Sequence, residues 1–286
     1  MSPNKDEMTV KQVRANPKPA RPAIMEAPIT ITQSAVMQEA LRKLEKVAQS
    51  DLSIVIYGEH GTGKEWAAHF VHKLSGRADG AFVTVDCAAL EAETIEKELF
   101  GYESITWEGI DLKKGAFEVA AGGTLLLNEF TSLSLSVQMK IARALEYHSF
   151  RRILGNEDIP ITARTIATMS HSPEDSREGR ALSKDLYHRI GVIAIALPPI
   201  RERPEDIPLL IDRFLADLQP DPKGRSKRMS PGALRICQSY SWPGNVRHLK
   251  NAVEYASIMC ESDIIGPDHL PEYLHDHNAE WESHSH

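Results

Sequence analysis

A chain of 286 residues, 42% of them hydrophobic, is long enough to bury one full core and a smaller second one. Its net charge of −7 gives no global positive field towards DNA or anionic lipid. The opening MSPNKDEMTVKQV lacks an apolar signal core, and the longest apolar run, residues 191–197, falls well short of the roughly 20 residues that span a bilayer. These features exclude a helical membrane span and read as a soluble, cytoplasmic protein.

Taken in chain order, residues 1–27 are polar and Pro-rich, without period, and read as a flexible arm. From residue 28 to 200, short apolar runs alternate with helical patterns. The runs are SIVIYG (53–58), AFVTVD (81–86), TLLLNEF (124–130), ARTIATMS (163–170) and GVIAIAL (191–197). Near-continuous apolar runs predict strands covered on both faces, and helices between them predict a parallel sheet. KEWAAHFVHKL (64–74) and SVQMKIARALEY (136–147) repeat apolar residues at helical spacing. After Pro198-Pro199 the strand signal stops. Helices are expected within 204–218, 230–240 and 245–260, started by Pro204, by Ser230 before Pro231, and by Asn245 after Gly244. The predicted class is therefore α/β, a parallel sheet with flanking helices over 28–200, followed by a small all-α domain over 201–276 and a polar tail over 277–286. The tail's histidines offer metal ligands or a solvated end. Cys87, Cys237 and Cys260 are odd in number and far apart, and read as buried thiols.

One stretch carries chemistry outright. SIVIY runs into Gly58-Glu59-His60-Gly61-Thr62-Gly63-Lys64 and then into a helix, which is the G-x-x-x-x-G-K loop in its strand–loop–helix setting. Glycines let the backbone turn its N–H groups inward as an anion nest, and the helix N-terminus adds its dipole. Lys64 is placed to bridge the β- and γ-phosphates of ATP. Glu65 stands where the generic loop has a magnesium-binding hydroxyl. At the end of a second strand, Glu129 is a candidate general base, and Asn128 occupies the position of a metal-binding carboxylate.

GEHGTGKE closely resembles the loop GESGTGKE of the AAA+ domain in sigma-54-dependent transcription activators, the bacterial enhancer-binding proteins. The likeness continues in register through AFVTVDCAAL (81–90), KELFGYE (97–103), KGAFEVAAGGTLLLNE (114–129), KDLYHRI (184–190), LPPIRERPEDIPLL (197–210) and SWPGNVRHLKN (241–251). The resemblance implies a P-loop AAA+ sheet with a helical lid, binding ATP or ADP with Mg²⁺. It also implies a ring, homo- or hetero-oligomeric, that acts on RNA polymerase bound to sigma-54. It implies roles for three residues besides the loop 58–65. Glu129 would polarise water, Arg189 would be an arginine finger reaching a neighbouring subunit (or else a surface salt bridge), and Arg247 would be the lid arginine that reports nucleotide state.

The departures cluster on working parts. Asn128 brings no negative charge to Mg²⁺, so the metal has thin support. Asp86 replaces an asparagine that restrains the glutamate, and a second carboxylate beside Glu129 would raise one pKa of the pair. Ser170 replaces the sensor asparagine, and Ser183 stands where a second arginine finger is expected. The sigma-contacting loop reads Ile105-Thr106-Trp107-Glu108-Gly109-Ile110, where the family has GAFTGA; only Gly109 survives. Gly115-Ala116-Phe117 is a decoy belonging to the following block. These changes argue against the usual contact with sigma-54 RNA polymerase through loop 104–110. The sequence runs about ten residues past the lid, and neither the family's C-terminal helix-turn-helix nor an N-terminal phosphoacceptor domain is expected. KGRSKR (223–228), a lone basic cluster, reads as a solvated loop. The expected function is nucleotide binding with weak or no hydrolysis, in regulation of sigma-54 transcription. The alternatives are a competent ATPase using an atypical loop, or a scaffold that binds no nucleotide.

Overall fold

The computed structural model describes residues 32–89, 91–106, 109–178, 182–190, 193–218 and 227–275. The arm at 1–27, the tail at 277–286, Trp107 and Glu108 of the altered loop, and most of KGRSKR lie outside the described residues.

The first unit opens with α1 (Ala35–Ala48), β1 (Ile54–Tyr57), α2 (Lys64–Leu74), β2 (Phe82–Asp86) and α3 (Ala92–Phe100). A hairpin of β3 (Tyr102–Thr106) and β4 (Gly109–Lys113) follows, then α4 (Ala116–Val119), β5 (Thr124–Asn128) and α5 (Leu135–Tyr147). The unit closes with β6 (Ser149–Phe150), β7 (Ile159–Pro160), β8 (Arg164–Met169), α6 (Pro173–Glu178), α7 (Lys184–Ile190) and β9 (Ala194–Ala196). Five strands form one parallel sheet in the order β2-β5-β8-β1-β9.

The apolar runs divide by the period of two that a strand imposes. Leu125 and Leu127 of β5 and Val55 of β1 enter one core with α3, α4, α5 and α7. Leu126, Ile54 and Ile56 enter the other, against α1 and α2. Both faces are dry, which is why β5 reads as unbroken leucine. Phe117 is fully buried among Phe100 and Phe150, so Gly115-Ala116-Phe117 belongs to the core and not to an exposed loop. Of the segment expected to be a loop at 104–110, residues 104–106 and 109–110 are paired strand, at the ends of β3 and β4 that join. Arg152, buried, anchors its base by pairing with Glu103 and, bidentately, with Glu118.

The second unit holds α8 (Ile207–Asp217), β10 (Arg228–Met229), α9 (Pro231–Ser239), α10 (Asn245–Met259) and β11 (Ile264–Ile265). Its separate core surrounds Trp242, whose ring is fully buried and whose Nε1 donates to Cys237 O at 2.7 Å. Ser230 caps α9 by accepting from Ala233 N–H, with Pro231 in the first turn. The strand signal does not stop altogether: β10 and β11 pair in parallel, but two residues each are too few to show a period in sequence. All three cysteines are buried and free, and burial pushes Cys87 and Cys237 up to about 12, leaving them inert as thiols. No helix among the described residues is long and apolar enough to cross a membrane.

Two histidines of α2 make stability depend on pH. His69 stacks on Phe82, and burial pushes its pKa down from 6.5 to about 4; buried His72 shares its Nδ1 with Thr124 Oγ1 at 2.9 Å and is lowered too, also by burial. Both are therefore neutral in the fold, while the unfolded chain takes up protons at the ordinary value. Stability is fully present above about pH 6.5 and is lost as pH falls through that value towards 4. Melting temperature measured across this window is expected to drop on acidification, with a shallower slope in His69→Phe; an unchanged slope would remove His69 as a source.

Candidate functional site

The loop after β1 turns through Gly58, Gly61 and Gly63, with φ of 148°, 79° and 104°. Leu197 O lies 2.6 Å from where a Cβ on Gly58 would sit, and Gly244 O occupies the place a Cβ on Gly61 would need. Only glycine satisfies both the sign of φ and the space. Thr62 Oγ1 donates to Glu59 O at 2.9 Å and tightens the turn. Among the described residues, no protein acceptor faces the N–H groups of Gly61, Gly63, Lys64 and Glu65. Unpaired N–H groups in a left-handed loop that opens a helix make an anion nest.

Lys64 is buried, and its Nζ donates to Gly58 O at 2.8 Å and Glu59 O at 3.3 Å, and pairs with Glu129 Oε1 at 2.9 Å. Glu129 follows β5 directly, at φ 51° and ψ 47°, a left-handed conformation that costs a non-glycine residue about 1–2 kcal/mol. That kink turns its carboxylate back towards the loop. Ser170, just past β8, donates to it, with Oγ 2.9 and 2.8 Å from the two carboxylate oxygens. The exposed His60 ring brings its nitrogens 3.1 and 3.3 Å from the same Oγ. Four groups thus meet at the carboxyl edge of the sheet. With Lys64 and Ser170 holding Glu129, the carboxylate is an engaged partner and not a free base. An arriving phosphate must first take Lys64 from it.

Asp86 was expected to sit beside Glu129 and perturb it. In the parallel register Asp86 faces Asn128, and its exposed carboxylate accepts Ala88 N–H at 3.1 Å. Asn128 in turn accepts the Thr168 hydroxyl through its Oδ1, at 2.6 Å. Glu65 lies exposed on the first turn of α2. Among the described residues no group of three or more His, Cys, Asp or Glu side chains is arranged to hold a metal ion. Asn128 thus brings a neutral amide, already engaged by Thr168, to the position where a carboxylate would support Mg²⁺.

The helical unit closes over the loop. Val246 N–H donates to Gly61 O at 3.0 Å, and Arg247, exposed, has its Cβ beside Gly61. Glu59, predicted to face a ligand, turns its side chain to this unit. Arg201 grips it with two hydrogen bonds of 2.8 and 2.6 Å and holds its pKa down at about 2. Asn245, buried at φ 52°, ties three segments: its Nδ2 donates to Glu59 Oε2 and His60 O, and its Oδ1 accepts Ile200 N–H. Arg203, also buried, donates to Thr62 O. In the sequence Arg201, Arg203 and Thr168 carry no site role, and Asn245 is read only as a helix start. Polar residues flanking Pro198-Pro199 and the start of a helix were the available signal for Arg201, Arg203 and Asn245.

The remaining predicted residues sit elsewhere. Arg189 pairs with Glu146 across an open groove of ≈ 510 Å³ between α5 and α7, also lined by Met139, Arg143 and Asp185. Both partners are half exposed. Ser183 caps α7, its Oγ accepting Leu186 N–H at 3.3 Å.

Comparison with known proteins follows the same outline. The model of the sigma-54 interaction domain matches residues 30–196, and that of the AAA+ ATPase lid domain matches residues 201–286. Nitrogen fixation protein VnfA of Azotobacter vinelandii is 40% identical over 245 residues, 85% of this chain and 47% of its own. The Nif-specific regulatory protein of Klebsiella pneumoniae is 41% identical over 240 residues, 83% of this chain and 45% of its own. The chain thus spans about half the length of these relatives. NtrX from Brucella abortus, solved in complex with ADP, superposes with a TM-score of 0.78 at 32% identity, covering 87% of this chain and 56% of that one. A second NtrX structure, in complex with ATP, gives the same score over 88% of this chain and 58% of its own. Loop, sheet and lid therefore lead to one assignment, and the chain belongs to the family of sigma-54 interaction domains, with the AAA+ lid that follows them.

Proposed function

We propose that the chain binds ATP or ADP in the loop 58–65 and acts in regulation of sigma-54 transcription as a subunit of AAA+ rings, alone or with complete activators, with little or no hydrolysis of its own. The observation that carries the reading is the nest of unpaired N–H groups closed by Lys64 on one side and by the lid at Val246 and Arg247 on the other. NtrX, solved with ADP and with ATP at the same fold, supports nucleotide as the occupant. Weak hydrolysis is supported by Asn128, by Ser183 spent on a helix cap, and by Glu129 held between Lys64 and Ser170. Arg189, half exposed on α7, is available to a neighbouring subunit once it leaves Glu146.

Affinity and turnover measured side by side test this. ADP and ATP are expected to bind in the micromolar range, with turnover well below about one per second from the purified chain. Faster turnover that Glu129→Gln abolishes would establish the competent ATPase instead. Absence of any thermal shift in ATP would leave only a nucleotide-free scaffold.

A further inference from the structure

Thr168 decides which way the amide of Asn128 faces. Its hydroxyl is fully buried, accepts Glu129 N–H at 3.0 Å, and lies 2.6 Å from Asn128 Oδ1. A hydroxyl carries one proton. With Oδ1 towards it, Thr168 donates that proton and every group in the chain Glu129 N–H, Thr168 O–H, Asn128 C=O is satisfied. With the amide reversed, Nδ2 would donate to Thr168 as well, and the Thr168 proton would be left without an acceptor in a dry site. The oxygen is therefore pinned to the neighbouring strand. Asn128, only partly buried, offers its Nδ2 at the carboxyl edge of the sheet, and no acceptor for that Nδ2 occurs among the described residues.

An amide nitrogen has no lone pair for a cation, and its two hydrogens carry partial positive charge. It suits an anion. At the one position where a carboxylate would draw Mg²⁺ to the phosphates, this chain presents a donor. We propose that the cradle takes the polyphosphate of ADP or ATP directly, without a divalent cation, with Asn128 Nδ2 donating to a phosphate oxygen beside Lys64 and the loop N–H groups. This rests on the reading of residues 58–65 as a nucleotide site, and it adds the ionic form of the ligand and a binding residue for it. The phosphates then lack the metal that would neutralise charge at an attacking water, which accords with an assembly subunit that holds nucleotide.

ADP and ATP titrated calorimetrically into the full chain, once with EDTA and once with excess MgCl₂, test it directly. The two affinities are expected to agree within about threefold. Asn128→Asp keeps an acceptor for Thr168, so the fold is retained, but it sets a carboxylate against the phosphates. Its affinity in EDTA should fall by about tenfold or more and recover with MgCl₂. Electron paramagnetic resonance of Mn²⁺ gives a second readout: Asn128→Asp with ADP should immobilise the ion, and the wild-type chain with ADP should not. Wild-type affinity weakened about tenfold or more by EDTA would overturn the proposal. So would an Asn128→Asp protein indifferent to magnesium. Failure to bind in either buffer would instead remove the nucleotide reading itself.

Discussion

Lys64→Ala is expected to weaken ADP and ATP binding by about 100-fold or more, roughly 2.7 kcal/mol, while leaving the chain folded. Two effects act in the same direction. The substitution removes the ammonium that meets the phosphates, and it strands Glu129, whose Oε1 lies 2.9 Å from Lys64 Nζ. An unpaired carboxylate at the mouth of the nest repels the ligand that the loop N–H groups attract. The double variant Lys64→Ala/Glu129→Gln separates the two effects. If Glu129 repulsion is a substantial part of the loss, the double variant binds more tightly than Lys64→Ala alone. Calorimetry on the three proteins gives the coupling, and melting temperature checks that the fold persists. Ser170 still donates to Glu129, and the side chain is partly solvated, so the stability cost is expected to be small beside the loss of binding. Binding left unchanged in Lys64→Ala would place the nucleotide elsewhere or nowhere.

The parts of the site that were legible in sequence are those made by neighbours along the chain. The bounds of α2 could be read at 64–74 because Gly63 precedes it and its apolar residues repeat at helical spacing. Unbroken leucine in β5 gave a strand buried on both faces. By contrast, α1 has buried Met37, Leu41 and Leu44 at helical spacing after Ser34, yet it was not singled out beside the stronger loop motif. What local pattern cannot show is partnership across the fold. Thr168 and Asn128 are 40 residues apart and meet because β5 and β8 are neighbours in the sheet. Arg201 and Glu59 are 142 residues apart and meet because the lid folds back over the loop. The family resemblance made Asp86 a partner for Glu129, in place of an asparagine that restrains the glutamate. The register sets Asp86 opposite Asn128, and the left-handed turn at Glu129 sends that carboxylate to Lys64. A residue's type was readable; its orientation required the sheet.

Orientation is also what Trp242 supplies to the lid. It is fully buried, donates to Cys237 O, and meets Tyr240 and His248 edge-on at ring distances of 5.1 and 5.3 Å. Its own φ of 50° is unfavourable for a bulky residue, so the packing of the ring must outweigh the strain in the chain. The turn it fixes, closed by Asn245 N–H to Trp242 O at 2.7 Å, presents Gly244, Asn245 and Val246 to the phosphate loop. Trp242→Ala is expected to cost about 3–5 kcal/mol, from the lost transfer energy and the cavity left behind. Because the turn and the clamp through Asn245 and Glu59 share this anchor, the loss should spread to the site. The variant should melt several degrees lower, and ADP should raise its melting temperature less than it raises that of the wild-type chain. Trp242→Phe, which keeps most of the ring volume and loses the Nε1 donor, should fall between the two. A Trp242→Ala protein that melts lower yet gains as much from ADP as the wild-type chain would show that the loop holds its nucleotide without the lid.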